Sequence, residues 1–529
     1  MTQVQKKVMH MHLPWPALKF YPANWVHRPL QLLRHGPKVV SSFCLLVPQI
    51  VRAHGFGERY DLPIPMSWVI VAACWVVLLS FLLTPFLKQS SFHPTDRKAY
   101  FIFQLDQKLD RLSHAQPAWT RFLKFSSVGL LILTWCTALW GSADPLMNFS
   151  PTFIWIVWWL GTSFACMLFG NAWNKLDPWL ALFQGFEHLL SLVKGKKNTN
   201  DSSPEKSLLR WPDNLGRWPA CIFLMLWCGL EVIYPIASMP HRIGYWIAVY
   251  SLSMWAGMWL FGPSTWRNHA DGFNLYFELI GQTRAMLLSR NKVPYQAVVQ
   301  NKSSQISIIA LVIAVFTSVL FDGIHAGPIW LLFEKIAGKI PFIQSDVNGY
   351  LLGSLGLLSL WILLLSIYLF TCFMTRVLLQ MGSTTTLPGR TIDITLLDLA
   401  SSFLSSLMPI AMAYLIAHNF SSFFIQGQNI IALASDPFGI GMNLWGTAQY
   451  YPDIGLIDAK VTWYVATFSI VIGHVISVFL AHRVACYYST QFGQTKLLPS
   501  WVLNIPMTLV MIGFTAVSMT IIAEPLVNA

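Results

Sequence analysis

The sequence predicts an all-α fold: a polytopic integral membrane helical bundle, about ten transmembrane helices after an N-terminal signal-like segment. Three observations carry that prediction. Apolar stretches long enough to cross a bilayer recur from Met66 to Ile522. The 529 residues are 55% hydrophobic and 11% charged, with a mean hydropathy of +0.52, whereas a soluble globular chain carries about 25% charged residues. Many of the 24 Trp and 16 Tyr stand near the ends of the apolar stretches, where an amphipathic ring meets both lipid and water. No soluble domain of useful size remains once the spans are removed. The organisation is therefore a segment 1–53 followed by one membrane domain, 54–529.

The first segment has its own logic. Residues 28–53, RPLQLLRHGPKVVSSFCLLVPQIVRA, pass from a basic stretch (Arg28, Arg34, Lys38) into a 13-residue apolar core, Val39 to Val51, with Ala53 just after it. The core is too short to span comfortably and has the form of a signal peptide, although the long basic region also fits an uncleaved anchor. Cleavage after Ala53 would leave His54 at a new N-terminus, where its amine and imidazole suit copper; otherwise His54 opens an outer loop.

The ten spans are read at about 66–87, 125–140, 151–170, 218–239, 243–262, 306–321, 350–374, 399–424, 461–481 and 501–522. Their loops fix an orientation. Of the Lys and Arg beyond residue 53, 23 fall on one side, from Lys88 and Arg97 through Lys194 and Arg217 to Arg483 and Lys496. Five, namely Arg59, Arg242, Lys335, Lys339 and Lys460, fall on the other. The rich side belongs in the cytoplasm, so both mature termini face outward. The net charge of +12 is thus topogenic and does not imply nucleic acid. The eight cysteines lie in or beside apolar stretches without any CxxC, and read as small buried hydrophobes. No internal repeat is evident, so the inverted-repeat signature of many transporters is missing. Pro409, inside the eighth span, is compatible with a broken helix beside a ligand cavity.

The chemistry-bearing residues are ionisable groups in the outer half of the membrane. Glu231 lies in LWCGLEVIYP, Asp322 and His325 in FDGIH, His418 in MPIAMAYLIAHNFSS, and His474 in IVIGHVISVFLAHR. Charge in lipid is costly without a partner or a purpose. Packed at one level, Glu231 and Asp322 would be catalytic carboxylates, with His418, His474, His325 and His54 available to zinc, copper, iron or manganese. Such a metal would lower the pKa of bound water and deliver hydroxide to an ester. Taken singly, each His or acid also fits a hydrogen-bonded packing role. His482 should lie at the cytoplasmic boundary, about 12 Å from His474 by helix rise, and reads as a headgroup-level residue. The aromatic- and Asp-rich loops 141–151 and 434–460 read either as a lid over the outer mouth or as ordinary interfacial loops.

Several stretches resemble bacterial membrane-bound fenitrothion hydrolases: HGFGERYDLPIP (54–65), DPLMNFSPTFIW (144–155), LEVIYP (230–235), FDG (321–323), AHNFSSFFIQGQ (417–428), NLWGTAQY (443–450) and WYVATFSIVIGHVISVFLAHR (463–483). The resemblance implies hydrolysis of apolar organophosphorus triesters with loss of an aryl alcohol such as a nitrophenol. It also implies a second, similar membrane subunit. It carries no residue roles with it; Glu231, Asp322, His418 and His474 fall within the similar stretches.

Two functions therefore stand as expectations. One is a hydrolase whose substrate enters sideways from the lipid. The other is a transporter or metal-handling protein that uses the same buried groups as a relay. Depth separates them. An enzyme's residues should share one level, and a relay should be strung across the membrane with His482 at its inner end.

Overall fold

The structure is a computed structural model that describes residues 60–86, 118–193, 207–234, 236–288, 302–344, 349–381, 394–491 and 499–528. All lie within the unit Val51–Ala529. The signal-like segment 1–53, His54 and the polar linker 194–206 lie outside the described residues.

Twelve long helices carry the fold: α1 (Met66–Leu83), α2 (Ala118–Trp140), α3 (Phe149–Phe169), α4 (Pro178–Val193), α5 (Trp218–Ile233), α6 (Pro240–Phe261), α7 (Gly272–Leu288), α8 (Lys302–His325), α9 (Tyr350–Met381), α10 (Leu396–Gln426), α11 (Ala459–Gln491) and α12 (Ile505–Leu526). Among the described residues, eight helices (α1, α2, α3 and α8 to α12) are long and apolar enough to cross a membrane. The other two expected spans differ for identifiable reasons. The fourth is the shorter α5, because Tyr234, the residue before Pro235, turns extended (φ −86°, ψ 103°). The fifth is α6, 22 residues long but diluted by Ser, Gly, Tyr and Trp.

α10 sits at the centre, buried along nearly its whole length. A helix apolar on every face belongs in the core of a bundle, and the small residues of α10 (Ala400, Ser401, Ser405, Ala413) let neighbours come close. α11 packs antiparallel against it. Ser477 donates to the Ser406 carbonyl, Tyr488 and Ser402 share a 2.8 Å hydrogen bond, and a Cβ at Gly473 would run into Ala413 and Pro409. α10 passes through Pro409 without interruption, so the broken helix compatible with the sequence is not formed.

α8 and α5 run parallel to α10. Gln305 donates to Asp398 at 3.0 Å near the starts of α8 and α10, while the Arg217 backbone N–H, at the start of α5, donates to Ser307 Oγ at 2.9 Å. Asp398 also closes a capping box with Thr395, which satisfies the first turn of α10. The bundle thus has an Asp398 end and an Asp322 end. Tyr60–Asp61 pairs in parallel with Val527–Asn528, so the first and last described residues lie together. α1 exposes Trp68, Trp75, Leu79, Leu82 and Leu83, an outward apolar face suited to lipid.

Two loop regions are well tied. Ser142 and Phe149 donate backbone hydrogen bonds to Phe438 and Pro437 at 2.7 and 3.1 Å, joining the loop after α2 to the long connection after α10. Gly439, at φ +66°, lies so close to the Met147 carbonyl that a side chain could not fit. Elsewhere, Arg267 pairs with Asp177 at 3.0 Å and donates to Asn274 at 2.6 Å. Asp177 caps the start of α4 by accepting from the Leu180 N–H, and Asp271 caps α7 by accepting from the Asn274 N–H, both at 3.0 Å. Tyr250 of α6 donates to Asp271 at 2.8 Å. This network ties α4, α6 and α7 together through one buried set of charges.

Candidate functional site

Asp322 stands one turn before the end of α8, and His418 about two turns before the end of α10. Because the two helices are parallel, these positions come level. His418 Nε2 lies 3.0 Å from Asp322 Oδ2. The side chain of Asp322 is 28% exposed and that of His418 only 7%, so the carboxylate is the open member and the imidazole stands behind it.

Two residues that the sequence reading passed over complete the packing. Tyr414, four residues before His418 and therefore on the same helix face, stacks with its ring at 5.9 Å. Its buried hydroxyl, which has no protein hydrogen-bond partner, lies against Gly323. Only a residue without a Cβ allows that approach, so Gly323 brings α8 close to α10 beside Asp322. The i, i+4 spacing of Tyr414 and His418 was the available signal.

Glu231 reaches the same region from α5. It occupies the π-wound turn Gly229–Ile233, a local distortion that often marks functional positions. Trp159 donates its indole N–H to the Glu231 carboxylate, and Asp322 acts on Glu231 electrostatically. Glu231 keeps an open surface although helices surround it, as a side chain does when it lines a crevice. Behind it is an aromatic wall: Trp159 stacks on Tyr276 at 4.6 Å and meets Trp227 at 5.5 Å.

The other expected residues that the structure describes, His325 and His474, have surroundings of their own. His325 follows Asp322 on the extended α8 but packs its ring on Trp330 at 4.7 Å and Phe321 at 5.6 Å. His474 is buried, with Nδ1 2.8 Å from the Ile470 carbonyl. By the register at Gly473 it lies deeper than His418 by two helical turns, roughly 12 Å. His482 was expected at headgroup level. It is buried against its neighbours on α11, which continues to Gln491, and its Nε2 lies 3.4 Å from Cys486 Sγ. Among the described residues, no group of three or more His, Cys, Asp or Glu is gathered where it could hold a metal ion.

What the arrangement can do follows from its parts. Two carboxylates lie near one another, one backed by an imidazole and the other held by an indole N–H. Such a site can take a proton from a bound molecule and hold it beside an aromatic wall. Fold and site together define a polytopic helical membrane protein with an acid–histidine pair, its acid partly exposed, near one end. Comparison with family models, curated proteins and solved structures found no match.

Proposed function

We propose that this chain is a membrane-embedded hydrolase of organophosphorus triesters, with its site at the outer face of a bacterial inner membrane. The contact between Asp322 and His418, level with Glu231 and backed by Trp159, is the observation that carries the reading. The skewed distribution of Lys and Arg supports an outward Asp322 end.

In this reading Asp322 acts as general base, and His418 holds its carboxylate in place. A water oxygen attacks phosphorus as its proton passes to Asp322. The bond from phosphorus to the aryl oxygen breaks, and the aryl oxide leaves with the electron pair. The proton then returns to solvent through the crevice. A nitrophenol is a good leaving group, so little general acid help is required. Trp227, half-buried and packed on the buried Trp159, offers an apolar ring face for the aryl group. The exposed apolar face of α1 leaves room for lipid, for sideways arrival of substrate and for the second, similar membrane subunit that the resemblance implies.

The test is nitrophenol release from parathion by membranes carrying the wild type, Asp322→Asn or His474→Ala at equal levels. Release by the wild type and by His474→Ala, with at least a hundredfold loss in Asp322→Asn, is expected. No release by folded wild-type protein supplied with a partner subunit would overturn the reading in favour of transport.

A further inference from the structure

The Asp322–His418 pair is not where buried polarity ends. Along α11, Thr467, His474, Ser477 and His482 all hold polar atoms inside the bundle, over about 22 Å at the rise of an α-helix. Contacts with α10 fix their levels. Gly473 meets Ala413 and Pro409, Ser477 meets Ser406, and Tyr488 meets Ser402. Extending that register puts Thr467 level with His418, His474 midway, and His482 near the Asp398 end.

α12 adds a second polar column. Asn504 donates to the Val478 carbonyl of α11 at 3.4 Å, and Thr508 and Thr515 follow it as buried residues on the same helix face. Both threonine hydroxyls donate within α12, to Asn504 and Met511 carbonyls.

Five buried atoms along these columns have no protein hydrogen-bond partner: Tyr414 Oη, Thr467 Oγ1, His474 Nε2, Asn504 Oδ1 and His482 Nδ1. Each unmade hydrogen bond in a protein interior costs about 1–3 kcal/mol. They are not scattered. Tyr414 and Thr467 are at the level of Asp322, His474 is midway, and Asn504 and His482 are towards the opposite end. Water bridging such atoms would satisfy them, since a buried water makes about three hydrogen bonds.

We propose that α11 carries a proton path through the bundle, with His474 as its midway relay between the Asp322–His418 pair and the Asp398 end. Hydroxyls and bridging waters pass the proton along, while His474 accepts it at Nε2 and, with Nδ1 facing its own helix, releases it from Nε2 to the next water after a small ring movement. No oxidant or other reactant is required. The path goes beyond the hydrolase reading and does not depend on it, because the Asp322 end can exchange protons with water whatever else binds there.

The experiment uses the full chain in proteoliposomes of neutral lipid with a pH-sensitive dye trapped inside and a potassium diffusion potential imposed by valinomycin. No triester is present. The wild type should acidify the lumen at least tenfold faster than protein-free vesicles. His474→Phe should abolish most of that excess, and the isosteric Thr467→Val should lower it at least threefold. His325→Gln, whose ring lies outside the path, should conduct like the wild type. If His474→Phe does not fold, Thr467→Val decides. A wild type no faster than empty vesicles, or a Thr467→Val rate equal to wild type, overturns the proposal. Nitrophenol release from the same preparations reads the hydrolase separately, so either idea can fail alone.

Discussion

His418 Nε2 meets Asp322 Oδ2 at 3.0 Å across two parallel helices, and the acid is the more open of the two. The imidazole therefore serves the carboxylate, and removing either should damage the same step. Asp322→Asn and His418→Ala should each lower nitrophenol release by about 10²- to 10⁴-fold, the usual range for general acid–base groups. The double variant should be little worse than the worse single one, because both act as one unit. A double variant whose loss equals the product of the two singles would show that they act independently.

Gly323 and Tyr414 make a second coupled pair. Gly323→Ala forces a methyl group against the Tyr414 hydroxyl and Ile521, and should cost about 1–3 kcal/mol of stability. Tyr414→Phe removes the oxygen nearest to that methyl group and an unpartnered buried hydroxyl with it. Thermal unfolding in detergent should therefore show Gly323→Ala less damaging in the Tyr414→Phe background. Strictly additive shifts would mean that the two residues do not meet as described.

The capping box at the start of α10 gives a smaller, cleaner effect. Thr395→Ala removes the side chain that accepts from the Asp398 N–H and should cost about 1 kcal/mol. Thr395→Ser should stay near wild type. Equal melting temperatures for all three would show that packing alone fixes this end of the helix.

The charge network around Arg267 predicts a pH dependence. Burial, and then the Asp177 carboxylate nearby, push the Asp271 carboxyl up to about 7. An unfolded Asp titrates near 4. Between these values the folded protein holds a proton that the unfolded chain has lost, so this group makes stability fall as pH rises from about 4 to about 7, then level off. Asp271→Asn keeps an oxygen for the Tyr250 and Asn274 hydrogen bonds and should flatten that slope. A melting-temperature profile of unchanged slope would count against this origin.

Much of this was legible in the amino-acid order. Apolar length alone announced ten of the twelve long helices, all but α4 and α7, since a bilayer allows few other ways to bury a backbone. The eighth span was placed at 399–424 and the helix runs Leu396–Gln426. Length was also where the reading slipped. The ninth span was closed at 481, whereas α11 runs to Gln491 because Val484, Ala485 and Tyr488 continue its buried face past Arg483. Of the five ionisable residues singled out within the spans, Asp322 and His418 meet directly and Glu231 joins them electrostatically. His325 and His474 were indistinguishable from them by type or depth. What separates them is helix rotation, set by contacts such as Gly473 on Pro409 that connect residues far apart in sequence.

The short pairing of Tyr60–Asp61 with Val527–Asn528 has a consequence for how the chain is made. α1 precedes the other described helices in the chain yet lodges against α11 and α12, the last of them. It must wait in the bilayer, its inward face uncovered, until α11 and α12 have been made. A chain that stops short leaves that face without a mate and presents it to the quality-control proteases of the membrane. The same closeness of beginning and end makes the molecule a good subject for circular permutation: a short linker from residue 528 to residue 60, with new termini opened in the 194–206 linker, would let α1 be born beside its partners.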